Sequence, residues 1–463
     1  MASFKKIGCA VLLAPVLVYA VWVSLPTSHY KKEIAQICLD QQRDFDLLQS
    51  TYATDPARNS FLDPTLHETW CYRRELKEYG GNVTPGAVSR AIKAFNECNP
   101  IRQTGLSLAH LDASLKKLKK SPAQLKAARK PFVALLPKIE SAMEKPVWCA
   151  PSTGPEISTL LPNLLPVRTL AQALAFEAWL EARDKRPDDG AKLALSTLRF
   201  GLHVARGNAA LIQVMVATVV QAIAFRTLDA ILVDQSLQVA TLQQIVDQLG
   251  QDALPQDSTG RGLAYEMLCQ HNSLKQGVGP YLRGAQESPG AASFLSASGL
   301  FSRELRMLDN DYYPFVRSCL GDPVDLSWQK EAYKHEAWSA GSIWSDIKGQ
   351  HGLFAQAVLP NFQNAPLQIK LLRTELNGLR ALAAVELFKQ KNHRYPASLA
   401  EVGLNAQPED ELSSKPFQYS LKAGKPHLML PIDPEFAEHL HPKDQPEPQT
   451  VPRWDEGGLS LTP

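Results

Sequence analysis

The segment VRTLAQALAFEAWLEARDKRPDDGAKLALSTLRFGLHVARGNAALIQVMVATVVQAIAFRTLDAILV, residues 167–233, decides the fold of this chain. Its apolar residues recur every three or four positions, which is the spacing of one face of a helix. The pattern predicts three helices, over 167–185, 191–205 and about 208–233. Because the breaks RPDDG and RGN are short, successive helices must fold back on one another as antiparallel hairpins. The segment therefore favours a mainly α fold with a helical-hairpin, α-solenoid-like body.

Small residues support this prediction, because alanines on facing stripes let helix backbones approach closely. They are Ala171, Ala175, Ala178, Ala182, Ala191 and Ala194. The hairpin resembles a tetratricopeptide-type unit of roughly 34 residues, although the period is not sustained along the chain. The resemblance implies a way of packing helices and no particular function.

Length and charge narrow the classes of protein to consider. The chain has 463 residues, enough for two or three domains of about 150 residues each. With 49 basic and 47 acidic residues, its formal charge is only +2. A strongly basic nucleic-acid-binding protein is therefore excluded, and the ordinary hydrophobic content of 44% excludes disorder throughout.

The amino terminus carries a membrane signal. Lys5 and Lys6 precede an apolar run from Ile7 to Leu25, and these 19 residues are close to the length of a membrane-spanning helix. A cleaved signal peptide ending near Ala20 and an uncleaved anchor both fit this pattern. We favour the anchor, because the apolar run continues past that site and Trp22 suits the membrane interface.

A second apolar stretch, 207–225, has no charged residue. Gln213, Thr218 and Gln221 interrupt it, and it lies among helices of the soluble type. We therefore predict a fully buried core helix here rather than a second membrane span.

The cysteines suggest an oxidising compartment. Beyond the apolar start there are six, an even number that allows three disulfides: Cys38, Cys71, Cys98, Cys149, Cys269 and Cys319. We predict that Cys269 pairs with Cys319 and that the other four pair among themselves. The alternative is that all are small buried residues of a reduced protein. None of the spacings matches a zinc knuckle, so no metal site is predicted.

The first soluble segment, 27–150, reads as a run of helices. Thr84 with Pro85 and Ser121 with Pro122 are helix start signals, and Pro131 is expected to kink or split the helix that follows Ser121. The stretch 113–139 contains eight basic residues and no acidic one. It could contact anionic lipid headgroups or an acidic polymer, or form an ordinary solvated helix face, and we favour the solvated face because no aromatic residues are interleaved to stack bases.

The carboxyl-terminal part predicts a helix over 367–392 packed on an antiparallel hairpin within 415–430. Leu382 and Phe388 lie on the apolar stripe of that helix, and Tyr395 before Pro396 should end it. We expect this unit to be an autonomous end piece.

The motifs YPASL (395–399) and KPFQY (415–419) resemble the globular half of the major pseudopilins of type II secretion, and a class of bacterial envelope proteins with the same ending. The resemblance implies this local fold. Residues 422–431 have no counterpart of the acidic calcium-binding loop of pseudopilins, so it implies no calcium site, and the amino terminus has no prepilin-peptidase site.

Catalytic motifs are absent from the sequence, which has no Walker loop, GxGxxG, GxSxG or HExxH. Fragments of three such motifs occur. Ser114 and Lys117 have the SxxK spacing of one class of serine enzymes. Glu331, His335 and Glu336 resemble part of a zinc-binding helix in which Ser339 stands where the second ligand should be, and Asp309, Asn310 and Asp311 resemble part of a calcium-binding loop. No catalytic residue, cofactor or metal is predicted from them.

Together these features predict five segments. They are a membrane anchor or signal (1–26), an N-terminal helical domain (27–150), a central helical-hairpin domain (151–360), a pseudopilin-like α+β unit (361–434) and a Pro-rich acidic tail (435–463) expected to be mobile. We expect a single-pass protein of the bacterial inner membrane, with most of the chain extracytoplasmic. Its predicted function is that of a scaffold or binding protein with an envelope protein as a possible partner, and the alternative is an extracytoplasmic hydrolase with dispersed active-site residues. The sequence gives no oligomeric state.

Overall fold

The structure, a computed structural model, describes residues 30–70, 86–100, 121–152, 154–155, 164–207, 210–275, 300–320, 365–403, 409–410, 415–422, 425–429, 454–455 and 458–459. The helices of these ranges are α1 (Lys31–Tyr52), α2 (His67–Trp70), α3 (Ala87–Asn96), α4 (Pro122–Met143), α5 (Leu165–Arg183), α6 (Pro187–Ala205), α7 (Leu211–Asp234), α8 (Val239–Asp252), α9 (Ser258–Lys275), α10 (Leu300–Leu320) and α11 (Ala365–Asn392). The strands are β1 (Glu409–Asp410), β2 (Lys415–Pro416), β3 (Gln418–Lys422), β4 (Lys425–Met429), β5 (Trp454–Asp455) and β6 (Gly458–Leu459). The predicted mainly α fold with a small antiparallel sheet is confirmed.

The chain forms two compact units, each assembled from separated segments. Unit 1 comprises Met1–Leu47, Ser152–Leu160 and Gln256–Leu367. Unit 2 comprises Leu48–Pro151, Leu161–Pro255 and Gln368–Pro463.

Helices α5, α6 and α7 form the centre of unit 2, and their bounds agree closely with the three helices predicted from the sequence. The alanines predicted to allow close approach are buried, including Ala178 and Ala191, which are both fully covered. Gly190 contacts the carbonyl of Ala178 so closely that no Cβ would fit there. Small residues therefore set the spacing of these helices.

Helix α7 corrects the prediction of a fully buried helix over 207–225. One face is buried, with Val214, Ala217 and Val220 at most 2% exposed. The opposite face carries Ile212, Met215 and Val219, which are 43%, 39% and 39% exposed, and we call these three residues the α7 ridge. Since the stretch is apolar on every side, its periodicity could not reveal which face would be left uncovered.

Length and composition alone would also allow α7 to cross a membrane. Within the described residues, Leu211–Val233 is the candidate span, with a mean hydropathy of 1.7 and 56% of its most apolar window buried inside the protein. Core helices of soluble proteins pass the same test, so burial of its inner face decides in favour of a packed helix.

Helix α4 begins as predicted. The Ser121 hydroxyl accepts a hydrogen bond from the backbone N–H of Gln124, and the Gln124 side chain accepts one from the N–H of Ser121, which is a complete capping box. The expected break at Pro131 does not split the helix, which runs on through Pro131 and Pro137 to Met143. Phe132 and Ile139 are fully buried and hold both sides of Pro137 in place.

Aromatic rings connect the first helices of unit 2 to its centre. Phe95 on α3 stacks on Phe132 of α4 with ring centroids 4.7 Å apart and contacts Phe176 of α5 at 5.0 Å. Trp70 on α2 stacks on Phe200 of α6. These residues belong to one continuous hydrophobic core.

The carboxyl-terminal helix and hairpin form as predicted, with β3 and β4 paired antiparallel from Gln418↔Met429 to Lys422↔Lys425. Leu382 is buried, whereas Phe388 is only half-buried under the guanidinium of Arg394. Helix α11 ends at Asn392, ahead of Tyr395 and Pro396, because His393 takes a left-handed conformation with φ of 57°.

The expectation that this end piece is autonomous is wrong. Leu379, Val385, Phe417 and Leu428 are part of the same core as α5 to α8. The Arg380 Nε also donates to the backbone carbonyl of Val246 on α8 at 2.9 Å. Because α11 is apolar on most of its circumference, it is buried among other helices of unit 2 and not on the hairpin alone.

In the tail predicted to be mobile, β5 and β6 pair antiparallel. Pairs β1–β2 and β5–β6 were not predicted. Unit 1 contains packed helices α9 and α10, and Tyr30 stacks on Tyr313 with centroids 4.5 Å apart.

Several predictions fall outside the described residues. They concern the anchor or signal (1–26), the caps at Thr84 and Pro85, and the lysines before position 121. These remain predictions.

The contact at Gly190 leads to the first testable prediction. We expect Gly190→Ala to lower the free energy of unfolding by about 2 kcal/mol, because its Cβ meets the backbone of α5, which cannot move aside. Urea denaturation measures the change. The matched control is Gly250→Ala on α8, whose Cβ would meet only the flexible guanidinium of Arg380. Equal effects of the two substitutions would contradict the close packing of α5 and α6.

Candidate functional site

A polar cluster of unit 2 joins α4 to α5. Arg129 on α4 donates to Glu177 from Nη2 at 2.7 Å and from Nε at 2.9 Å. The same guanidinium donates to Glu181 at 2.8 Å and to Asp184 at 2.6 Å. These carboxylates are spaced by three and four residues, so one face of α5 presents all of them to a single arginine.

Burial determines the chemistry of this cluster. The Glu177 side chain is fully buried, and burial raises its pKa to about 7 although the Arg129 guanidinium opposes the shift. The N–H groups of Arg129 that face α5 donate hydrogen bonds to the carboxylates of that helix. The cluster therefore holds two helices together and does not offer a free acid or base. The charge of Arg129 is paired with these carboxylates, so the exposed positive charge of the stretch 113–139 comes from lysines such as Lys126, Lys130 and Lys138.

A second acidic group lies on α11. Glu375 is 8% exposed, and within the described residues nothing donates a hydrogen bond to its carboxyl group. Burial raises its pKa to about 7; the charge of Arg226 on α7 lowers it and that of Asp229 raises it. Among the described residues, nothing donates a hydrogen bond to this buried carboxyl group, and its pKa lies near neutral pH. In these two respects Glu375 resembles the acidic groups of functional sites.

In unit 1, Nε2 of His271 on α9 lies 3.0 Å from Oδ1 of Asp309 on α10, within hydrogen-bond distance. Asp309, Asn310 and Asp311 lie inside α10, so they form no calcium loop. A carboxylate that orients a histidine is one part of a hydrolytic site. In the described part of the chain, Asp309 is the only hydrogen-bond partner of His271, so no hydroxyl or thiol completes the arrangement there.

No disulfide joins the cysteines that the structure describes. Cys269 on α9 and Cys319 on α10 belong to helices that pack together, but the bond expected between them is not formed. Adjacent helices do not by themselves bring two Cβ atoms within about 4 Å, which a disulfide requires.

The remaining pairing expected among Cys38, Cys71, Cys98 and Cys149 is also not formed between the members that the structure describes, since Cys71 lies outside them. Burial raises the pKa of Cys149 to about 12, so this thiol stays protonated and is a poor nucleophile.

The residues of the two carboxyl-terminal motifs have structural roles. The Tyr395 hydroxyl donates to Glu386 at 2.9 Å and accepts from Lys389 at 2.7 Å, which ties the chain after α11 back onto the helix. The Tyr419 hydroxyl donates to the carbonyl of Pro396 at 3.0 Å. These contacts connect the hairpin to the end of α11.

The fragments of catalytic motifs do not assemble. Ser114, Lys117, Glu331, His335, Glu336 and Ser339 lie outside the described residues. Over the ranges that the structure covers, no group of three potential metal ligands is brought together.

No protein-family model matches the chain, and no curated protein and no solved structure matches it. The resemblances to pseudopilins and to tetratricopeptide hairpins stay predictions.

Sequence reasoning missed Glu375, the His271–Asp309 pair and the α7 ridge. A signal for Glu375 is present, since it lies three residues after Leu372 and four before Leu379, on the apolar stripe of α11. No comparable signal marks His271 or Asp309, because their pairing depends on how α9 packs against α10.

The cluster around Arg129 predicts a strong effect on stability. We expect Arg129→Ala to lower the free energy of unfolding by about 3–5 kcal/mol, because it leaves Glu177 buried without a donor. Chemical denaturation measures the loss. Lys130→Ala, an exposed neighbour on the same helix, is the matched control and should change stability by less than about 0.5 kcal/mol.

Glu375 predicts a stability that depends on pH. Its folded pKa of about 7 lies above the ordinary value of 4.5, so the buried charge destabilises the fold increasingly as pH rises from 4.5 to 7. We expect Glu375→Gln to stabilise the protein by about 1–3 kcal/mol at about pH 8, with the gain fading as the pH falls toward 4.5.

Thermal unfolding across this pH range measures the effect. The exposed Glu97→Gln on the C-terminal side of α3 is the control, and its effect should not change with pH in this way. A Glu375→Gln variant that is less stable than the wild type at about pH 8 would mean that Arg226 holds the carboxylate in its charged form.

Proposed function

We propose that this chain is a membrane-anchored extracytoplasmic scaffold or binding protein whose helical body follows an α-solenoid-like plan. The observation that supports a binding role is the α7 ridge. Ile212, Met215 and Val219 lie one helical turn apart in sequence order and are each about two-fifths exposed. Side chains of this kind, aligned on one face, are typical of surfaces that contact a partner or a membrane.

The polar interior of unit 2 supports the scaffold part of the proposal. Gln221 on α7 donates to the carbonyls of Leu198 and Asp252 and accepts from the N–H of Leu254. Like Arg129, this buried side chain connects separate helices. Polar groups used in this way make a helical body rigid, as a scaffold requires.

Residues 1–26 supply the proposed membrane attachment. Lys5 and Lys6 before the apolar run favour a cytoplasmic start, against Lys31 and Lys32 at its other end, and in this proposed orientation most of the chain lies outside the inner membrane. The partner in this compartment is an envelope protein or the membrane itself.

The His271–Asp309 pair favours the second candidate function, an extracytoplasmic hydrolase. This candidate needs a nucleophile within hydrogen-bond reach of His271. The scaffold proposal needs no such group.

Cell fractionation tests the proposed location. We expect the full chain to stay in the membrane pellet after carbonate extraction, and to be degraded when protease is added to spheroplasts, because the body lies outside the membrane. A cytoplasmic protein of the same cells, which should survive the protease, is the control. Recovery of the chain in the carbonate supernatant would contradict the anchor, and protection in intact spheroplasts would contradict the orientation.

The same purified chain separates the two functions. A scaffold should not react with a fluorophosphonate, which labels activated serine nucleophiles. Labelling that His271→Gln abolishes without unfolding the protein would favour the hydrolase.

A further inference from the structure

The α7 ridge is apolar and lacks charge. Its three side chains extend over about 10 Å of one helix. No charged residue occurs from Gly207 to Phe225, so the whole exposed side of this part of α7 is uncharged. A surface of this composition gains by leaving water.

We propose that the α7 ridge rests on the surface of an anionic phospholipid bilayer, with its side chains at the boundary between headgroups and acyl chains. This proposal names the partner of the ridge and so extends the proposed function. It rests on one part of that function, the anchor, which keeps a bilayer next to unit 2.

Charge supports a lipid partner over an apolar protein groove. The exposed Arg206 precedes α7 and lies six residues before Ile212. The apolar side chains therefore have a guanidinium group at the amino-terminal end of their stretch. This is the arrangement of interfacial helices, in which aliphatic side chains enter the acyl boundary and basic side chains meet the phosphates.

The length of the chain also permits this contact. The predicted anchor ends at Leu25 and unit 2 begins at Leu48, in the last turns of α1. Five linker residues and the intervening part of α1 reach at most about 45 Å. Such a tether keeps unit 2 at a high local concentration next to the bilayer, so even a weak contact made by three side chains would be populated.

An environment-sensitive fluorescent amino acid tests the contact directly. The full chain is reconstituted in nanodiscs of phosphatidylethanolamine with one quarter phosphatidylglycerol, with the fluorophore Anap in place of Met215. Quenching by doxyl-labelled lipid reports contact with acyl chains, and quenching by iodide reports contact with water. The matched control carries Anap in place of Lys192, which is exposed on α6 of the same unit.

We expect doxyl lipid to reduce the emission at position 215 by roughly twofold or more, and iodide to quench it much less than at position 192. Equal iodide quenching at the two positions would overturn the proposal, since the ridge would then face water. Protection from both quenchers would overturn it too, because a protein, either another segment or a second copy, would then cover the ridge.

A substitution distinguishes this proposal from the proposed function. With Val219→Gln added, the chain should stay in the nanodisc through its anchor while the doxyl quenching at position 215 falls. If the wild-type chain does not enter nanodiscs, the prediction of a membrane anchor is wrong. Flotation of the chain with vesicles of the same lipids then tests whether the ridge binds the bilayer. Flotation of the wild type that Met215→Lys abolishes would support it, and failure of the wild type to float would overturn it.

Discussion

Helix α6 is enclosed by neighbouring helices on almost every side, and this close approach is the constraint on which the rest of unit 2 depends. Gly190 meets the backbone of α5, and Gly201 lies against Gln221 and Ala217 of α7. A helix pair can come this close only where side chains are absent or small. The alanines of α5 and α6 thus determine where α4, α7 and α8 can pack, since those helices cover the faces that the central pair leaves.

Close packing leaves little room for water, so the polar groups inside unit 2 have to bond to the protein itself. Gln221 donates to the carbonyl of Asp252 at 2.6 Å and accepts from the N–H of Leu254 at 3.1 Å. Arg129 likewise donates hydrogen bonds to the carboxylates on one face of α5. Buried polar side chains that are satisfied specify one arrangement of helices, because any other arrangement would leave them without partners. Glu375 is the contrast, since its carboxyl group is buried with no donor among the described residues.

Helix α7 changes character along its length. Its inner face packs against α5 and α6, its early outer face forms the α7 ridge, and Arg226 and Asp229 further on lie near Glu375 of α11. The ridge and the charged groups follow the same spacing of three and four residues along the helix. The same outer side therefore runs from an uncovered apolar surface to half-buried charged groups that face the buried Glu375 of α11. This change along the helix separates the part of α7 proposed to bind from the part that faces α11.

Local patterns in the sequence were sufficient to predict part of the secondary structure. The bounds of α5 to α7, the Ser121 cap, α11 and the hairpin of β3 and β4 follow from periodicity, capping residues and strand alternation, which act within a few residues. Tertiary structure alone decided which faces are covered, because that depends on residues far apart in the chain. It left the α7 ridge exposed, placed α11 in the core instead of in a separate piece, kept α4 continuous through Pro131, and paired His271 with Asp309. It also left Cys269 and Cys319 without a disulfide between them, since a disulfide depends on distances between helices that no local pattern encodes.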